Sequence, residues 1–411
     1  MAVLSLFLPP FSPDYSGVSA VLFDLKTVTA MHDASGCTGN YTGYDEPRWY
    51  GSKSPVYCSG LREIDAVLGD DEKLIQKMID AARDIQPDLM ALVGSPVPMV
   101  IGSDLTGVAA ELEERTGIPS FGFDTTGTAY YDKGAAATIM ALLKRFTKPL
   151  ATEAGSVNIL GATPMDFGKG ENLRDLKKLL QDRGLFLTAC LAMDYNLAAL
   201  RQSAAAEVNL AVSRTGLLVA AEMEKRYGIP YLCGLPYGEK ASEEYFAALE
   251  EVRQSRQSRI LNLSSCEAGA ASGTDPLAAA PEILIVGEQV QANAIRLALQ
   301  RDYGESSVAV GCLFGLEPGL ALPQDKDLKS EQLIGQELNR DNYRLIIADP
   351  FLKVLLQNNN KEFWPNAQYA VSSKLAAEQT ARLTGSFFNR WINLRVDENQ
   401  GLNLNRQKEG C

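Results

Sequence analysis

Two cysteines, Cys37 and Cys58, stand in the stretch of this 411-residue chain whose composition best suits inorganic chemistry, residues 32–62, HDASGCTGNYTGYDEPRWYGSKSPVYCSGLR. Five glycines (36, 39, 43, 51 and 60) alternate there with Tyr41, Tyr44, Trp49, Tyr50 and Tyr57. A thiolate holding a bulky cluster needs a backbone that approaches closely and donates N–H groups to sulfur, and glycine permits both. Gly36 and Gly60 flank the two thiols and are the expected cofactor-contacting positions. A Cys-x20-Cys spacing is weak evidence compared with paired CxxC motifs, so two half-buried cysteines in a glycine-rich connection remain the alternative. His32, the chain's one histidine, reads more readily as a hydrogen-bonded structural residue than as a third ligand.

The other five cysteines are dispersed. Cys190, Cys233 and Cys312 fall in apolar strand-like runs and are expected to pack as small hydrophobes. Cys266 lies in a linker-like stretch, and Cys411 is terminal. An odd, scattered set in an acidic chain is not a disulfide framework, and reduced thiols in the cytoplasm are expected. The formal net charge of -12 argues against general affinity for nucleic acid or anionic membrane. Ala2 to Leu8 is too short, and too soon followed by Pro9 and Pro10, for a signal peptide, and no apolar run reaches the roughly 18 residues of a spanning helix.

The elements that must position the cysteines alternate between β-rich runs and amphipathic helices, the pattern of parallel sheets covered by helices. LMALVG at 89–94 and PSFGFD at 119–124 are strand-like, with helices carrying Leu74, Ile75 and Met78, then Leu105, Val108 and Leu112, then residues from about Tyr130 to Arg145. A second series holds VNILG, LFLTACL, VNLAVS and IPYLCGLP with helices around Leu173 to Leu180 and Leu217 to Ala221, closed by one from about Ser242 to Arg256. A third holds EILIVG, SVAVGCLFG, RLIIADP and QYAVSS, the last leading into a helix from about Lys374. The expected fold is α/β, three Rossmann-like parallel-sheet domains with helices on both faces. The limits are 1–150, 151–264, a small-residue linker at 265–281, and 282–411 with a polar tail. VGEQ at 286–289 is a candidate anion-binding turn, but it lacks the spaced glycines of a dinucleotide site. No P-loop occurs, so no nucleotide is expected on this chain.

HDASGC at 32–37 resembles the cluster-binding segment of the nitrogenase component 1 family, and SGLREIDAVLGDDEKL after Cys58 is similar to the family's lead from its second cluster cysteine into a helix. VGSPVPMVIGSDL at 93–105 resembles the stretch that carries the family's third cysteine, and AAEMEKRYGIPY at 220–231 is also similar. The resemblance implies a nitrogenase-like oxidoreductase subunit, with Cys37 and Cys58 as ligands of an iron-sulfur cluster. It also implies electron delivery by a separate ATP-dependent iron-sulfur reductase protein. Two departures stand out. Pro96 occupies the third cysteine position, and NLAVSRTGLLV has no cysteine where catalytic subunits hold their active-site cofactor. Two thiolates are half of what a 4Fe-4S cluster normally takes. The implied cluster, 4Fe-4S or larger, is therefore shared across a homodimer or with a sister component 1 subunit, with Asp33 as a conceivable oxygen ligand. A metal-cluster assembly scaffold or carrier is the alternative, and an α/β ligand-binding protein that has lost its cluster is a third.

Overall fold

The helix Asp71–Ile85 buries Leu74, Ile75, Met78 and Ala82, a stripe at helical spacing whose remaining faces are charged, and it covers the strand Thr27–Met31, which is buried at every residue. That pairing of a one-faced helix with a fully buried strand recurs along the chain and dictates parallel sheets with helical covers. The computed structural model describes residues 5–52, 54–69, 71–261, 280–357 and 360–398. Within them lie three sheets in which every strand pairing is parallel.

The first sheet contains β1 (Thr27–Met31), β2 (Val56–Cys58), β3 (Leu89–Val93) and β4 (Ser120–Phe123) in the order β2-β1-β3-β4. The second contains β5 (Glu153–Leu160), β6 (Phe186–Leu191), β7 (Ala206–Ala211), β8 (Tyr231–Cys233) and β9 (Arg259–Ile260), ordered β6-β5-β7-β8-β9. The third contains β10 (Ile283–Gly287), β11 (Val308–Cys312), β12 (Lys326–Asp327), β13 (Leu345–Ala348) and β14 (Glu362–Pro365), ordered β12-β11-β10-β13-β14. The α/β architecture read from the sequence is thus the observed one. In each sheet the strand order reverses beside the first strand, and in such folds the crevice at the carboxyl ends there is where ligands bind.

One hydrophobic core runs through all three sheets, with Val93, Leu160, Ala211 and Val286 among its members. A second core joins the second and third sheets. The helix Asp14–Leu22 is buried at all nine residues and interlocks with the helix Tyr131–Phe146. A Cβ on Gly17 would lie 2.0 Å from the Tyr131 carbonyl oxygen, and one on Gly134 would lie 2.0 Å from that of Asp14. Only glycine lets these two backbones meet.

Two expectations for the third series are corrected. QYAVSS is not a strand: Tyr369–Ser372 is a short helix, and the edge strand is β14, seven residues earlier by its first residue. No long helix starts at Lys374. Single 3-10 turns occupy that stretch, and the long helix is Phe387–Glu398. Its Phe388, Trp391 and Ile392 return to the second core. Most of the 265–281 segment, with Cys266, lies outside the described residues, as does Cys411.

Candidate metal centre

Cys58 is the last residue of β2 and pairs with Met31, which also pairs with Val93 of β3. The carboxyl ends of β2, β1 and β3 are therefore level, and everything the sequence singled out in this region leaves from that edge. After β1 the chain runs through His32 and Asp33 to Ser35, a non-glycine residue held at φ 150°. This sharp turn starts the helix Gly36–Asn40, which continues as a π-helical turn, Tyr41–Asp45. Cys37 sits in the first turn of that helix.

The two thiols are half-buried. Gly60 donates its N–H to the Cys58 sulfur at 3.3 Å, and that thiol reaches the Asp33 carbonyl at 3.3 Å. Gly60 has φ +68°, the left-handed conformation that turns its N–H back toward the sulfur at low cost only for glycine. Cys37 is in hydrogen-bonding contact with Tyr15, from the buried helix below, and with Ser95, which follows β3. Burial pushes the Cys37 thiol above its ordinary value, opposed by the Tyr15 and Ser95 contacts and reinforced by Asp33 and Cys58. A Cβ on Gly36 would meet no atom within 4 Å, so the side of the backbone beside Cys37 is open to a close-approaching group.

The neighbouring polar side chains have structural duties. His32 Nδ1 lies 2.9 Å from the Ser59 hydroxyl, and burial lowers the His32 pKa, which favours the neutral ring. The Asp33 carboxylate accepts from the Thr38 N–H at 3.0 Å and its hydroxyl at 3.3 Å, pinning the first turn of the Cys37 helix. Ser95 donates to the His32 carbonyl at 2.9 Å. Pro96 follows it as the first residue of the short helix Pro96–Val100 and is solvent-exposed. Its ring supplies neither thiolate nor N–H to this edge.

Sequence reasoning missed the anchor of this segment. Arg48 Nε and Nη2 bind both oxygens of Glu46 at 2.7 and 2.8 Å, and its Nη1 binds Asp24 at 2.8 Å. Its guanidinium also donates to the Ala20 carbonyl at 3.0 Å and lies 4.4 Å from the Phe23 ring centroid. Tyr41 donates to the same Glu46 at 3.2 Å. The only sequence signal was a basic residue amid aromatics, and its partners at 24 and 46 share no spacing rule.

Two segments near this edge carry exposed apolar side chains. Ile64, Val67 and Leu68 on the helix Glu63–Leu68, together with Val97, Val100 and Ile101, are exposed large hydrophobics, Val100 at 86%. Leu61 and Ile101 line one crevice with His32, Ser59 and the charged Asp65, Asp71, Lys73 and Lys77, so the two segments border the same edge. Among the described residues no set of three or more His, Cys, Asp or Glu is gathered to hold a metal ion. The donors present, two soft thiols and a sulfur-directed N–H, fit half of an iron-sulfur cluster and no complete one.

Elsewhere the expected roles are clear. Cys190, Cys233 and Cys312 are buried, and burial pushes the Cys190 thiol up to about 12. The VGEQ turn is capped by its own Glu288, which accepts from the Gln291 N–H at 2.9 Å. A carboxylate therefore occupies the position an anion would take. Among the described residues no helix is long and apolar enough to cross a membrane.

A three-sheet α/β chain with thiols at the carboxyl edge of its first sheet is the class that fold and site define. The model of the nitrogenase component 1 type oxidoreductases matches residues 14–313, and the chain belongs to that family. It is similar to the nitrogenase iron-molybdenum cofactor biosynthesis protein NifE of Rhodobacter capsulatus, 29% identical over 218 residues, covering 51% of this chain and 44% of the relative. It is also similar to a subunit of the light-independent protochlorophyllide reductase of Zygnema circumcarinatum, 24% identical over 208 residues, covering 48% and 40%. The chain spans less than half the length of these curated relatives. A solved structure described as nitrogenase Cp1 at pH 6.5 shares the fold with a TM-score of 0.64 at 12% identity, covering 97% of this chain and 95% of that one.

Proposed function

We propose that this chain is one half of a two-subunit, nitrogenase-like reductase centre, in which Cys37 and Cys58 supply two of the thiolates of an iron-sulfur cluster and a second subunit supplies the rest. The observation that carries this reading is two half-buried thiols, one ending β2 and one in the helix that follows the adjacent β1, beside exposed apolar segments. When bound, such a cluster accepts and passes single electrons, delivered here by an ATP-dependent iron-sulfur protein. The chain's own residues do the rest. Gly60 donates an N–H to the Cys58 sulfur, which favours the more negative sulfur of the reduced state. Tyr15 and Ser95 hold Cys37 in place, and Tyr41 with Trp49 closes the protein side of the segment at a centroid distance of 6.5 Å.

The second reading is a cluster-assembly scaffold without turnover, favoured by the similarity to a cofactor biosynthesis protein. The experiment separating the two supplies the reductase partner and follows electron consumption against candidate substrates. The reductase reading expects catalytic consumption that Cys58→Ala abolishes. A scaffold would instead transfer iron and sulfide to an acceptor protein without sustained consumption. The homodimer and sister-subunit arrangements separate by mass: a purified single chain that binds the cluster as a dimer supports the first.

A further inference from the structure

The carboxyl ends of the second and third sheets, with the start of a helix from the first domain, converge on a second polar cluster that the cysteine site does not use. Asp166 follows β5, Arg214 follows β7, Glu288 follows β10, and Asp132 lies in the first turn of the helix Tyr131–Phe146. These positions flank the strand-order reversals of both sheets. Glu288 is 2% exposed and accepts from the Arg214 N–H and the Gln291 N–H, both at 2.9 Å. Asp166 takes a hydrogen bond from the Tyr131 hydroxyl and one from Thr163 Oγ1 at 2.7 Å. Gln291 ties the pair together, its side-chain amide donating to the Asp166 carbonyl at 3.0 Å. Asp132, also 2% exposed, faces the Arg214 guanidinium at 3.2 Å, and that guanidinium also donates to the Phe314 carbonyl.

The cluster therefore holds three carboxyls and a single guanidinium, which meets Asp132 directly while Glu288 binds the Arg214 backbone N–H. Tyr131 and Tyr237 face the pair as neutral hydroxyls, the Cys233 and Cys312 thiols lie on the Glu288 side, and Lys133 reaches only Asp132. If all three carboxyls ionised, two negative charges would be uncompensated at a buried junction, which is strongly unfavourable. Like charges gathered in one buried site oppose each other's ionisation. Burial, then the charge of Glu288, raises Asp166, and burial raises Glu288. Asp166 keeps partial solvent contact, so a proton has a path in and out.

We propose that Asp166 and Glu288 share one proton at neutral pH, and that this proton is the latch holding the three sheets together at their common junction. Because the pair binds its proton more tightly folded than unfolded, its contribution is fully present below the ordinary carboxylate range. It is lost as pH rises through the folded value. Alkaline conditions therefore loosen the junction, and the device is independent of any cluster at Cys37 and Cys58.

The test is chemical denaturation of the full chain between about pH 6 and about pH 9, for wild type, Asp166→Asn and Glu288→Gln. The wild-type unfolding constant is expected to rise by up to about tenfold per pH unit as the one shared proton is lost. Either amide, which cannot ionise, removes that slope. Slopes from other buried carboxyls are common to all three proteins and cancel in the comparison. Equal pH dependence in wild type and both variants overturns the proposal. Should the variants fail to fold, difference infrared spectroscopy of wild type reads the same proton: a protonated-carboxyl band at neutral pH that disappears on alkalinisation supports it, and no such band overturns it.

Discussion

At the scale of single residues, the glycines beside the cysteines have different duties. Gly36 leaves open space, whereas Gly60 is held at φ +68° with only Lys77 Nζ, 3.9 Å away, near an added Cβ. Gly60→Ala is therefore expected to cost about 1 kcal/mol from backbone conformation alone, read as a lower denaturation midpoint of the metal-free protein. The cysteine pair was legible in the sequence because glycine, small residues and thiols cluster within a short window. Arg48 was not, because Asp24 reaches it only through the fold and nothing in the sequence marks the nearby Glu46 as its partner. It is the side chain whose loss should be felt most. Arg48→Ala leaves the buried Glu46 uncompensated, and an expected loss of about 3 kcal/mol would appear as a reduced unfolding free energy. A change within about 0.5 kcal/mol, the range of ordinary surface substitutions, would deny Arg48 its anchoring role.

At the scale of elements, helices with one apolar stripe were readable, as Asp71–Ile85 and Glu171–Asp182 illustrate. The helix Asp14–Leu22 was not, because all nine of its residues are buried and a helix without a polar face has no period to detect. β1 and β2, which carry the site, are only five and three residues long, and the glycine-rich connection hides them. QYAVSS misled because a short buried helix and a buried strand share an apolar composition. The exposed segments Glu63–Leu68 and Pro96–Val100 make their own prediction. Val67→Asp combined with Val100→Asp should leave the fold intact, since both side chains are exposed, and should shift the sedimenting species from the assembled form to the single chain. An unchanged sedimentation coefficient would place the interface elsewhere.

At the scale of the whole molecule, three sheets meet at a buried junction of charged side chains, while the thiols sit apart, at the edge of the first sheet. The family fold was legible through motifs in the first two sheets, but the junction cluster was not, because Asp132, Asp166, Arg214 and Glu288 come from separate connections. The central claim is that one chain holds half of an iron-sulfur site. It is tested most directly by iron and sulfide analysis, with electron paramagnetic resonance, of anaerobically purified and reconstituted wild type, Cys37→Ala and Cys58→Ala in the presence of the partner subunit. The account expects iron, sulfide and a cluster signal in wild type, and loss of all three in each variant while the fold persists. An iron-free wild type, or a cluster that survives both substitutions, would contradict it.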